Sequence, residues 1–160
     1  MIREVRLSDA EQICSIYNYY IEHSIATFDE QIKDSLFFEE KIKLITQNYP
    51  WFVLEVEGEI NAFAYASQWK DKSAYNKSVE GTVYVKNMSQ EKGLGEKIYT
   101  HLIDSLRNKG FHSVVGVISL PNNASISLHE KLGFEKVAHF KEIGNKFNQM
   151  IDVACWQLLI

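Results

Sequence analysis

A mixed α/β sheet with helices on its faces is the fold this chain predicts. Three observations carry that expectation. Strand-like and helix-like apolar patterns follow one another in the order β-α-α-β-β-β-α-β-α-β-β, hairpin and crossover connections both occur, and 46% of the 160 residues are apolar, enough for one core. With two prolines and no Ser/Gly-rich linker or repeat, residues 1–160 read as a single domain.

The segment "IREVR" opens as a short strand. Ser8 or Asp9 then caps a helix whose apolar residues Ile13, Ile16, Tyr17, Tyr20 and Ile21 recur at helical spacing. A second helix runs from about Ser35 to Gln47, with Phe38, Ile42 and Ile45 on one face and Pro50 just beyond. "WFVLEVEGEINAFAYASQW" holds two apolar runs around Glu57, Gly58 and Glu59, an antiparallel hairpin. In the next strand, "SVEGTVYV", alternation puts Glu80, Thr82 and Tyr84 on one face and Val79, Val83 and Val85 on the other.

A helix from about Gly93 to Lys109 follows, closed by Gly110. "SVVGVIS" is apolar throughout, as in a central strand. "NASISLHEKLGF" gives a short helix ending at Gly133, and "EKVAHFKEI" and "QMIDVACWQLLI" pair as antiparallel C-terminal strands.

Composition narrows the function. The formal charge is −4, from 17 basic and 21 acidic residues spread without a basic block, which counts against nucleic acid as a partner. The N-terminus lacks the apolar core of a signal peptide, and no run nears the ~18 apolar residues of a membrane span, so a cytoplasmic protein is expected. Cys14 and Cys155 match no metal or redox spacing and read as buried free thiols. No pair among the five histidines has supporting ligands, so no metal is expected. No Gly-x-Ser-x-Gly elbow or Cys/His signature points to a covalent intermediate, in agreement with direct transfer.

The chemistry concentrates in "QEKGLG", Gln90 to Gly95, between a strand and a helix. Backbone N–H groups at such a junction, above the positive end of a helix dipole, suit a phosphate or pyrophosphate, and glycines clear the approach. The alternative is a plain strand-to-helix turn. The stretch lacks the Lys-Ser/Thr of a Walker loop and the third glycine of GxGxxG.

"QEKGLG" resembles the Gln/Arg-x-x-Gly-x-Gly/Ala signature of the GNAT superfamily of N-acetyltransferases, and "NNASISLHEKLGF" its downstream Asn-x-x-Ser helix. "YNYYIEHSIATFDE", "SVEGTVYV" and "GNKFNQMIDVACWQL" are similar to the phosphinothricin and methionine sulfone acetyltransferase branch, and the resemblance runs from about residue 2 to 158. It implies a GNAT fold: a mostly antiparallel sheet, helices on both faces and a splayed central strand pair, here 79–86 and 113–119.

Site residues follow from that resemblance. Acetyl-CoA is the implied co-substrate, its pyrophosphate cradled by Gln90, Lys92, Gly93, Leu94, Gly95 and Glu96. Its pantetheine arm lies along Val83 and Val85, and Asn122 and Ser125 bind it from the following helix, with Asn123 an alternative to Asn122. An amine is mostly protonated at neutral pH (a lysine-like amine has pKa ~10.4), so it needs a base before it can attack a thioester. Glu80 is the implied base. His129, two helical turns from Asn122, is either an acid for the departing thiolate or a packed histidine.

The acceptor implied by the resemblance is a small amino-acid analogue such as phosphinothricin, methionine sulfoximine or methionine sulfone, and the implied activity a detoxification. Phe28, Lys72, Tyr75, Thr82 and Lys146 match the acceptor positions, with the lysines as counter-charge to an anionic group. Lys72 stands where arginine is common, and Met150 and Ile151 alter one edge of the pocket. A protein N-terminus or a polyamine as acceptor, or a non-catalytic acyl-CoA-binding domain, are the competing readings. A homodimer is expected from the resemblance.

Overall fold

In the computed structural model, which describes residues 1–89 and 91–160, seven strands form one sheet. The elements are β1 (Ile2–Glu4), α1 (Ala10–His23), α2 (Ser35–Ile45), β2 (Trp51–Val56), β3 (Glu59–Gln68), β4 (Ser78–Val85), α3 (Leu94–Asn108), β5 (Ser113–Ser119), α4 (Asn123–Lys131), β6 (Glu135–Lys146) and β7 (Gln149–Leu159). The spatial order is β1-β2-β3-β4-β5-β7-β6, and every neighbouring pair is antiparallel except β4 and β5.

Strand alternation sorts the core into two layers. Trp51, Val53, Phe63 and Tyr65 face α1 and α2, where Ile13, Ile21, Phe38 and Ile42 pack on them. Phe52, Leu54, Ala62, Ala64, Val79 and Val114 face α3 on the other side, against Ile98, Tyr99, Leu102 and Leu106. The small alanines of β3 let α3 lie close to the sheet. Cys14 and Cys155 are both buried free thiols.

The turns follow from local chemistry. Glu57 and Gly58 both have positive φ (51° and 84°), the two-residue hairpin geometry whose twist matches the flanking strands. Phe147 and Asn148 (53° and 55°) repeat it between β6 and β7. Gly110 and Gly133 adopt the left-handed conformation just past α3 and α4.

Three boundaries differ from expectation. β1 stops at Glu4. Asp9 sits at the start of α1 without capping it, because its carboxylate binds Arg3 (2.8 and 2.9 Å) and the Arg6 N–H (2.7 Å). β6 continues to Lys146 through a bulge between Phe140 and Gly144, where Glu142 has positive φ and its N–H donates to Asp152 Oδ1 at 2.8 Å.

Candidate active site

The parallel pair β4–β5 is where the sheet opens. The two strands pair only over Ser78–Glu80 and Ser113–Val115 and then part. On its other edge β4 stays paired with β3 as far as Val85 opposite Ala62. The Lys86 N–H donates to Asn61 O at 2.7 Å, so alternation turns the backbone groups of Val83 and Val85 the opposite way, into the gap. There the Tyr20 hydroxyl donates to the Val85 carbonyl at 2.6 Å. The Val83 and Val85 N–H groups thus face a space that no neighbouring strand fills.

A cavity of about 960 Å³ occupies this gap. One end is the start of α3. Gly93 precedes the helix at φ +78°, a conformation few other residues adopt, and a Cβ there would meet nothing within 4 Å. The glycine is required by the backbone turn. Gly95 is not demanded in the same way: a Cβ there would come to 3.4 Å from both Leu128 and Val85, a van der Waals contact. The first helical bond is Lys97 N–H to Gly93 O (3.0 Å), which leaves the N–H groups of Leu94, Gly95 and Glu96 without partners inside the helix. That arrangement suits an anion. Gly93, Leu94, Gly95 and Glu96 all line the cavity, whereas Lys92 is exposed and outside the lining. Gln90 lies outside the described residues.

Asn122 and Ser125 line the opposite wall. The Asn122 side chain is the N-cap of α4, its Oδ1 accepting the Ser125 N–H at 3.1 Å, and its amide N–H groups remain for a ligand. His129 is buried in the same wall with its ring against Tyr99 and Phe134. Its Nδ1 lies 2.7 Å from the Ser125 carbonyl, a pairing that requires the proton on Nδ1. Nε2 has no partner, and burial lowers the pKa despite the carbonyl's opposing effect. A neutral imidazole in this tautomer accepts at Nε2. Of the two readings of His129, this geometry fits the packed histidine, with Nε2 left as an acceptor, better than an acid for the thiolate.

Glu80 sits at the last paired position of β4, where the strands separate. With Thr82 and Tyr84 it faces α1, and all three line the cavity, as does Phe28. Burial pushes the Glu80 carboxyl above its usual range, while the ammonium groups of Lys41 and Lys70 pull the other way. Lys41 donates to the Tyr65 hydroxyl at 2.9 Å, and Tyr65 also lines the cavity. The cavity therefore holds an anion-binding helix start, a row of free backbone N–H groups and a half-buried carboxylate in sequence. It can seat an extended anionic molecule and remove a proton at its far end.

Three expected acceptor residues lie elsewhere. Lys72 and Tyr75 are exposed on the turn before β4 and do not line the cavity. Lys146 is corrected: it is 1% exposed, with Nζ on the carbonyls of Ser24 (2.6 Å), Thr27 (2.8 Å) and Tyr20 (3.4 Å). Its charge is used inside the fold and does not face the cavity. Sequence reasoning missed Tyr20, Tyr65 and Lys41. The first two read as core residues, and no sequence signal marks a polar tip that reaches a cavity. Among the described residues no three His, Cys, Asp or Glu side chains cluster to hold a metal ion, and no helix is long and apolar enough to cross a membrane.

Comparison with known proteins agrees with this geometry. Residues 2–155 match the family model described as the acetyltransferase (GNAT) domain. The chain is 40% identical to the phosphinothricin N-acetyltransferase of Streptomyces viridochromogenes, covering 98% of this chain and 85% of that one. It is 34% identical to the L-methionine sulfoximine/L-methionine sulfone acetyltransferase of Salmonella typhimurium, over 98% and 92%. A phosphinothricin acetyltransferase from Sinorhizobium meliloti, solved in complex with acetyl-CoA, superposes with a TM-score of 0.95 at 29% identity, over 100% and 88%.

Proposed function

The chain belongs to the GNAT acetyltransferase family and is an N-acetyltransferase, and we propose that it moves the acetyl group of acetyl-CoA directly onto the α-amino group of a small amino-acid analogue. Phosphinothricin, methionine sulfoximine and methionine sulfone define the class, in line with the relatives' names. The observation that carries the reading is the parting of β4 and β5, with the free start of α3 at one end of the cavity and Glu80 at the other.

Acetyl-CoA supplies an activated thioester. The chain's groups fit it: the α3 N–H groups meet the pyrophosphate, the backbone of Val83 and Val85 pairs with the pantetheine arm, and the Asn122 amide donates from the facing wall. The N–H of Val85 donates to the thioester oxygen as charge develops there. Glu80 takes the proton from the incoming ammonium, and its burial makes it a stronger base than an exposed carboxylate. The freed amine attacks the carbonyl carbon, the new C–N bond replaces the C–S bond, the sulfur leaves with the bonding pair, and the second proton shed by the acylated nitrogen passes to that thiolate or to solvent. A thiol of pKa near 8.5 is a tolerable leaving group, so the lack of a proton donor at His129 is no obstacle.

Phe28 and Thr82 line the acceptor end, and positive charge reaches it from Lys41, which bonds Tyr65, and from Lys70. Lys72 and Tyr75 reach the substrate only if their turn folds inward. Acetylating the amine of a toxic analogue is a detoxification, and dependence on acetyl-CoA suits the cytoplasm. A homodimer accords with the apolar side chains exposed on the β6–β7 arm, Phe140, Ile143, Phe147 and Met150.

The test is thiol release from acetyl-CoA with each of the three analogues, spermidine and an N-terminal peptide as separate acceptors. Saturable release with an analogue supports the substrate class. Turnover confined to the peptide or spermidine removes it.

A further inference from the structure

The acceptor end of the cavity has a wall, residues 24–28, that no regular element builds. It leaves α1 at Ser24 as irregular chain, and Ser24 to Phe28 all line the cavity. Its anchor comes from β6, more than a hundred residues later. The buried Lys146 ammonium has three donors and faces three main-chain carbonyls, those of Tyr20, Ser24 and Thr27. Those carbonyls belong to the last turn of α1 and the wall itself, where a cation is favoured by the helix dipole.

Gly144 is buried two residues earlier, so it shares the face of β6 that carries Lys146. A Cβ at that position would collide with the Phe28 ring. The bulge between Phe140 and Gly144 precedes this stretch, and β6 meets the end of α1 through Lys146. One side of β6 therefore grips the backbone of the wall and leaves room for its ring.

We propose that Lys146 is a positioning residue and Gly144 a specificity-determining one, which together set where Phe28 stands over the acceptor amine. The substrate part of this inference rests on the acetyl-acceptor reading above. Lys146 holds the wall at a fixed distance from Glu80 through three carbonyls, and the absent side chain at residue 144 sets how far the ring recedes. The pyrophosphate end, at the start of α3, is built from other elements, and a link toward the pantetheine strand is the Tyr20 hydroxyl on the Val85 carbonyl.

The test combines hydrogen–deuterium exchange of the whole protein with steady-state kinetics on Lys146→Gln and Gly144→Ala, using whichever amine the thiol-release assay turns over. For Lys146→Gln the expected result is exchange at least about tenfold faster, confined to residues 20–30. KM for the amine should rise about tenfold, since small misplacements at a reacting centre are costly, while KM for acetyl-CoA stays within about twofold. Gly144→Ala keeps the anchor, so exchange there should stay near wild type. It should change the kcat/KM ratio between a larger and a smaller amine by about fivefold or more, within the range set by a misfitting methylene.

Unchanged exchange in Lys146→Gln overturns the anchor. Equal rises in both KM values overturn the positioning role, because a general loss of structure moves both. An unchanged amine ratio in Gly144→Ala overturns the specificity role. If the wild type acetylates none of the amines, the substrate reading fails by itself, and the exchange experiment still decides the anchor.

Discussion

Replacing Glu80 with Gln keeps the shape of the side chain and removes the proposed base. Glu80 is half-buried at the point where β4 and β5 part, and among the described residues the charged groups that act on it are Lys41 and Lys70. The other acidic residues lining the cavity, Glu91 and Glu96, lie at the α3 end, and Glu96 is paired with Lys131 at 2.6 Å. The His129 lone pair lies on the opposite face of the sheet, among Tyr99 and Phe134. With no substitute base, kcat/KM at pH 7 should fall by about 10²–10⁴, or about 3–5 kcal/mol of barrier.

Two further readouts separate chemistry from damage. An α-amino group is mostly protonated at pH 7. The variant depends on the fraction that is free, so its kcat/KM should keep rising with pH until the amine's own pKa is passed. The wild type should hold level above its acid limb, and that limb should lie above the ordinary carboxylate value because burial raises the Glu80 pKa.

Stability moves the other way. A carboxyl whose folded pKa is raised contributes stability below its ordinary value and loses it as pH rises through the folded one. At pH 7 the charged Glu80 is thus a slight burden, and Glu80→Gln should unfold at the same temperature as the wild type or higher. Activity within threefold of wild type, with an unchanged pH profile, would refute Glu80 as the base.

Gly93→Ala places a side chain at φ +78° with open space around it, so the effect is backbone strain alone, about 1–2 kcal/mol. Thermal unfolding should register it, and KM for acetyl-CoA should rise while KM for the amine does not. Gly116→Ala is different: its Cβ would overlap the His129 ring, which is packed between Tyr99 and Phe134. Overpacking of about 1–3 kcal/mol is expected in denaturant titration, and His129→Ala in the same chain should relieve part of it. Arg3→Met strands the buried Asp9, whose carboxylate binds Arg3 twice, at a cost on the order of 3 kcal/mol. Burial alone would raise the Asp9 pKa, but the bonds from Arg3 and the Arg6 N–H hold it below its ordinary value. A depressed acid loses its contribution as pH falls through the folded pKa, so acid unfolding of the wild type should narrow its advantage over Arg3→Met.

Much of the fold was legible because it rests on local periodicity. The β4 and β5 ranges, the two-residue turn at Glu57–Gly58 and the glycines past α3 and α4 all follow from short patterns that neighbouring residues enforce. The grouping of Glu80, Thr82 and Tyr84 on one face also follows, since the pleat allows no other arrangement. The family was readable for a related reason: its signature at Gly93 and Gly95 lies within a few residues.

What the sequence determined by itself, then, was most of what is settled over one or two turns of chain: the elements, their faces, and a glycine-marked helix start of a kind that suits an anion. The tertiary structure decided where polar side chains end. Lys146 looks like a free charge until β6 meets the end of α1 and buries it on three carbonyls. The proton of His129 is placed by Ser125, whose carbonyl α4 holds against Nδ1. The gap itself exists because β4 and β5, joined through α3, stop pairing after Glu80 and Val115. Such outcomes depend on burial and on partners far away in the chain, and no local pattern encodes those distances.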